Sequence, residues 1–232
     1  MTDEFAVAAI IDRMIEDSSV ILADPPWKFL TRSVKGKGRS AEAWYDCMTL
    51  ADIKALPVAQ MAAPDSLLLL WTTRTYLEQA FGVIAAWGYV YKTIAFTWVK
   101  TTKDGKGFPM GMGYHTRGNP EFCLLAARGK GVRRLRRDVR ELIISPRRKH
   151  SQKLDEAYDR IERLWPGPYL ELFARNHRTG WKSLCEEVDS GPIMQRRWPS
   201  NNYPQPSPDA GGGRWRPHAA PAARAGRPIP TG

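Results

Sequence analysis

Residues 20–29 read VILADPPWKF. Val20 to Ala23 form a short apolar run, the pattern of a strand covered on both faces. The run stops at the carboxylate of Asp24. Pro25 and Pro26 then hold two successive φ angles at about −65° and remove two N–H donors. Neither a ladder nor a helix continues through that pair, so Asp24 ends the strand on a stiff turn, with Trp27 just beyond. In open α/β sheets the loops that carry chemistry leave the carboxyl ends of the strands. The reading of this stretch therefore depends on whether the rest of the chain supplies such a sheet.

By pattern it does. Ser66 to Trp71, Val90 to Lys100, Glu121 to Ala127, Leu142 to Ser145 and Tyr169 to Ala174 are further short apolar or β-branched runs. Between them lie helical stretches. Thr49 with Asp52 three residues on predicts a capped helix to about Ala55. Arg74 to Trp87 has helical spacing closed by Gly88, and Lys153 to Trp165 places Leu154, Ala157, Tyr158, Ile161 and Leu164 along one side. Trp181 to Val188 is expected to be a short helix. Strands alternating with helices predict an α/β domain with a largely parallel sheet. A glycine-rich loop spans Lys103 to Gly118. From Ser190 proline and glycine dominate and aliphatic residues almost vanish, so the chain divides into a domain, residues 1–189, and a tail, residues 190–232, expected to be disordered.

The 232 residues are 43% hydrophobic and 25% charged, the balance of a globular protein in water. The longest apolar run, residues 66–71, is too short to cross a bilayer. The leader MTDEFAVAAIIDRMIED carries acids where an export signal carries basic residues, and Cys47, Cys123 and Cys185 form no CxxC pair. A cytoplasmic protein without a structural metal or a membrane partner is the expectation. Lys and Arg exceed Asp and Glu by 35 to 24, giving a formal charge of +11. That excess points to a polyanionic partner, because basic surface gains affinity by releasing counterions from phosphates.

A carboxylate, proline carbonyls and an indole on one rigid rim suit a planar ligand bearing an amino group. The amine of adenine is a poor nucleophile, its lone pair being drawn into the ring. Hydrogen bonds accepted by Asp24 and a backbone carbonyl would return density to the nitrogen, and stacking on Trp27 would hold the ring. The plain alternative is a strand end with a surface tryptophan.

ADPPW after a buried strand, LLLLW, WGYVYKTIAFTWVK, NPEFCLLAARGKG, KLDEAYDRIERL and YLELFAR, in that order between residues 19 and 188, resemble the MT-A70 family. These are S-adenosylmethionine-dependent enzymes that methylate the exocyclic nitrogen of adenine in RNA or DNA. The resemblance implies a Rossmann-like methyltransferase fold with circularly permuted motif order, the catalytic strand first and the cofactor strand, Tyr169 to Arg175, near the end. It implies that Asp24, Pro25, Pro26 and Trp27 are the catalytic motif, and that Asp24, Lys153, Arg175, His177 and Arg178 contact S-adenosylmethionine. Tyr45 resembles the tyrosine of the family's substrate loop and, with Trp27, would flank the target base. Lys28, Arg32, Lys35, Lys37 and Arg39 surround it in what reads as a lid. The denser run RGKGVRRLRRDVRELIISPRRKH is expected to touch phosphates through Arg133, Arg134, Arg136 and Arg137, with a solvated face as the alternative. Glu121 is read first as structural, with a place facing the substrate base as the alternative. Two departures stand out: Ala174 replaces the glycine of other methyltransferases, and Glu186 lies where many relatives place an asparagine. A compact domain without zinc fingers is similar to bacterial or phage members, so DNA is the expected polymer. RNA, or a non-catalytic subunit that only binds nucleic acid, is the alternative.

Overall fold

The computed structural model describes residues 17–27, 47–111, 113–146, 154–174 and 176–185. In chain order the elements are β1 (Ser18–Ala23), α1 (Leu50–Ala55), β2 (Ala62–Thr73), α2 (Leu77–Ala86), β3 (Val90–Thr101), β4 (Glu121–Arg128), β5 (Leu142–Pro146), α3 (Asp155–Leu164), β6 (Tyr169–Ala174) and β7 (Trp181–Cys185). The seven strands form one sheet in the order β5-β3-β4-β2-β1-β6-β7. All neighbours are parallel except those of β4, which runs against both β2 and β3. The largely parallel sheet expected from the pattern is therefore present, with one reversed strand.

Two-sided cover explains the run Leu67 to Trp71. Side chains alternate across a strand, so Leu68 and Leu70 enter the layer under α1 and α2, beside Ile21, Ile53, Val83 and Ile84. Leu67, Leu69 and Trp71 enter the layer under α3, beside Leu22, Ala157 and Ile161. All five are buried. At the end of α2, Gly88 adopts φ 80° and the Tyr89 N–H reaches the Ile84 carbonyl at 3.0 Å, an arrangement that favours glycine. At α1 the Thr49 hydroxyl accepts the Asp52 N–H at 3.2 Å, as its spacing predicts.

Two elements depart from the pattern. Trp181 to Cys185 is a strand rather than a helix, because β6 offers it an open parallel edge, and the Trp181 ring stacks on Tyr169 with centroids 4.8 Å apart. Also, α2 begins at Leu77, not Arg74. Residues 74–76 instead form a turn closed by the Tyr76 N–H on the Thr73 carbonyl at 3.0 Å. That turn leaves the carboxyl end of β2, next to the end of β1.

Candidate active site

In the turn after β1, the Trp27 N–H donates to the Pro25 carbonyl at 2.8 Å and the Met48 N–H donates to the Pro26 carbonyl at 3.1 Å. The indole N–H of Trp27 donates to the Trp71 carbonyl at 3.2 Å, and its ring stacks on Tyr76 at 5.4 Å with 19° between the planes. Trp27 is only 5% exposed. The expected open aromatic face and outward carbonyls are thus corrected. A side chain this large gains more by packing than by display, and its N–H requires a partner once buried. Trp27 clamps the turn to β2 on the side of α1 and α2. Tyr76, which the pattern missed inside an apparent helix, is the half-buried aromatic beside it.

Asp24 belongs to the other face. Side-chain alternation from Ala23 turns it toward α3, and its charge reaches Tyr158 of that helix. The Tyr158 hydroxyl donates to Oε1 of Glu171 at 2.7 Å. Burial first, then the Glu171 carboxylate and its hydrogen bond, then Asp24, push the Tyr158 phenol far above its ordinary range, so it stays a proton donor. Glu171 is buried on β6, level with Leu22 of β1 and Ser183 of β7. An acid inside the apolar strand YLELFA was the available signal for it. The hydroxyl oxygens of Ser183 and, at the end of β2, Thr73 are buried without a hydrogen-bond partner among the described residues.

The end of β6 is itself unusual. Phe173 has φ 63°, a left-handed conformation costly for a residue with a Cβ, and the β6–β7 register shifts between Leu172 and Ala174. Ala23 pairs with Leu172. The distorted backbone therefore lies beside Asp24, a placement typical of functional strand ends.

The remaining expected site residues separate. His177 is exposed in the connection after β6. Arg178 follows it, but its guanidinium faces α3: Nε lies 2.8 Å from Glu162, Nη2 lies 2.7 Å from Asp159, and the group covers the Tyr158 ring at 5.0 Å. The Trp181 indole N–H donates to the same Glu162 at 2.7 Å. Bonding to Arg178 holds the Glu162 carboxyl below its ordinary range and holds the Arg178 guanidinium above its own. Arg178 thus braces the β6–β7 connection against α3 instead of presenting a free cation. Tyr45, Lys153, Arg175, Glu186, the lid cations and the tail lie outside the described residues.

The arginine run is not brought to Asp24. Because β4 is reversed, residues after Arg128 start at the amino edge of the parallel sheet, opposite the ends of β1 and β6. There the Leu135 N–H caps the Leu164 carbonyl at the end of α3 at 2.7 Å. Arg136 and Arg163 both pair with Asp138, at 3.1 and 3.2 Å. Arg133, Arg134, Arg136 and Arg137 are exposed around that helix terminus, where positive charge complements the helix dipole. At the carboxyl edge Glu121 pairs with Lys100, which lies over Trp98 at 4.6 Å. Among the described residues no cluster of three metal-ligating side chains is found, and no helix is long and apolar enough to cross a membrane.

Comparison with known proteins bears on this geometry. The model of the MT-A70 family matches residues 18–187. A Mycoplasma protein named type II methyltransferase M.MunI is 30% identical over 191 residues, covering 75% of this chain and 79% of its own. Human N(6)-adenine-specific methyltransferase METTL4 is 32% identical over 73% of this chain and 37% of its own. The human catalytic subunit METTL3, named an N(6)-adenosine-methyltransferase, is 30% identical over 74% and 28%. The chain thus spans most of the bacterial relative but well under half of the two human ones. The chain belongs to the MT-A70 family of S-adenosylmethionine-dependent adenine N6-methyltransferases.

Proposed function

We propose that this chain methylates the exocyclic nitrogen of adenine in DNA, using the edge of the sheet where β1 and β6 end side by side. The observation that carries the proposal is the register of those two strands. It sets Asp24 at the end of the first described strand against the distorted end of a strand that comes almost last in sequence. That adjacency supports the permuted order, with the catalytic strand early and the cofactor strand late.

The donor set fits S-adenosylmethionine. Carboxylates at Asp24 and Glu171 suit its cationic and hydroxyl groups, and the unpaired Ser183 and Thr73 hydroxyls mark polar positions awaiting a partner. When bound, the cofactor supplies a methyl carbon activated by a positive sulfur. The residues of the chain have a narrower task. Asp24 accepts one N–H of the adenine amine, restoring density to the nitrogen and aiming its lone pair. Pro25 and Pro26 keep that carboxylate from wandering, and Trp27 locks the turn to β2, so alignment supplies much of the rate. The nitrogen becomes acidic as it is alkylated and sheds its proton without a strong base. In sequence Lys153 precedes α3 and Arg175 follows β6, and both join the cofactor set by the family likeness, as does His177. Tyr45 flanks the base in the same reading.

The length match with the bacterial type II methyltransferase supports DNA over RNA. Incubation with labelled cofactor and matched DNA and RNA oligomers, followed by digestion, tests this. N6-methyladenine from the DNA is the expected product. Label in the RNA alone would reverse the choice of polymer, and label in neither would remove the enzyme reading.

A further inference from the structure

The β3–β4 connection, TKDGKGFPMGMGYHTRGNP at 102–120, takes no part in gripping the amine, yet it stands on the same edge of the sheet as Asp24. Phe108, Met110 and Tyr114 are 64%, 81% and 85% exposed. Among the described residues that apolar area is left largely uncovered, Tyr114 meeting the ring of its neighbour His115 edge-on. Lys103, Lys106 and Arg117, all exposed, are interleaved with it. Asp104 is the one acid of the segment, and its carboxylate bonds the Thr102 hydroxyl and the Lys106 N–H.

The segment is braced at its root. The Asn119 amide donates to the carbonyls of Lys100 at 2.8 Å and Pro109 at 3.0 Å, and its oxygen accepts the Lys100 N–H at 2.8 Å. Across the two limbs the Gly111 N–H reaches the Gly118 carbonyl at 2.7 Å. The Arg74 guanidinium packs against Gly118, where an added Cβ would fall 1.2 Å from Nη1 and would displace that side chain. Arg74 sits two residues before Tyr76, the ring that stacks on Trp27. The exposed side chains are thus carried on a held scaffold that packs against Arg74 in the turn after β2, the turn whose Tyr76 stacks on Trp27.

We infer that this segment is a strand-stacking finger, with Phe108, Met110 and Tyr114 laid on the bases that flank the target adenine and Lys103, Lys106 and Arg117 on the adjoining phosphates. The inference rests on the nucleic-acid substrate proposed above. Aromatic faces stack on any base, and apolar side chains inserted at a base step hold it open while a nucleotide is turned out. Protein interfaces, by contrast, exclude lysine from their apolar centres.

The test is photo-crosslinking of the protein to single-stranded DNA carrying 5-iododeoxyuridine, together with affinity for the same DNA. The cross-linked peptide should fall within 102–118. The triple variant Phe108→Ala, Met110→Ala, Tyr114→Ala should lose about tenfold or more in affinity, with cofactor affinity and melting temperature unchanged. Phe108→Trp and Tyr114→Phe should retain binding. If the wild type methylates DNA and the triple variant binds and methylates it equally well, this inference fails while the enzyme assignment stands. If the triple variant instead loses self-association in sedimentation with DNA affinity intact, the finger is a protein contact and the inference also fails. A wild type that neither binds nor methylates nucleic acid overturns the substrate assignment and this inference with it.

Discussion

The two edges of the sheet differ in kind. On the carboxyl side of the sheet, Asp24 and a left-handed Phe173 mark the ends of β1 and β6, and the buried Glu171–Tyr158 pair and two buried hydroxyls without a partner among the described residues, on β7 and β2, accompany them. At the amino edge the densest arginine run of the described chain surrounds the end of α3, and Arg136 and Arg163 are tied to Asp138. Charge density along a sequence therefore does not locate chemistry. Buried polarity without an internal purpose locates it better, because such groups cost stability unless something else uses them.

The contrast can be broken at several points. Asp24→Asn keeps the shape of the side chain and removes its charge. Methyl transfer should fall by about two to three orders of magnitude, a loss of the size seen when one charge-stabilising contact is removed, with the melting temperature held. Activity within a few fold of wild type would take Asp24 out of the centre. Trp27→Ala should cost about 3–5 kcal/mol of stability, read by denaturant unfolding, because the ring is a clamp. A stable variant with only weakened DNA binding would restore the open-platform reading. Tyr158→Phe leaves Glu171 without its hydroxyl donor and should lower turnover by about tenfold without unfolding the protein.

Smaller effects follow at the brace and the back edge. The Glu162 carboxyl titrates below its ordinary 4.5 in the folded chain. The native state thus binds fewer protons there, and the stabilisation is present in full above 4.5 and lost as pH falls through the depressed value. Arg178→Gln should remove that component, so its stability deficit should be clear at neutral pH and shrink as pH falls below 4.5 through the depressed value. A deficit that is constant with pH would contradict the brace. Last, the quadruple alanine variant of Arg133, Arg134, Arg136 and Arg137 should leave methyl transfer within about twofold and the salt dependence of DNA binding nearly unchanged. A flattened slope would bring the amino edge into the substrate path.

Much of this was legible from the chain alone. The apolar run ending on Asp24, the two-sided burial of Leu67 to Trp71 and the apolar side of α3 are local patterns with direct structural meaning. What was misread depends on long-range pairing. Trp181 to Cys185 became a strand because β6 had a free edge, and nothing within those five residues announces that. The expectation that the arginine run lies near Asp24 came from family order, whereas the reversal of β4 starts that run at the opposite edge. Trp27 was taken as exposed because its partners, the Trp71 carbonyl and the Tyr76 ring, come from the end of β2 and the turn after it.

Ultraviolet cross-linking of labelled S-adenosylmethionine to the full chain, followed by peptide mapping, tests the location of the chemistry most directly. The label should appear in peptides from the carboxyl ends of β1 and β6, residues 20–27 or 169–178. Label confined to residues 129–141 at the amino edge would contradict the account.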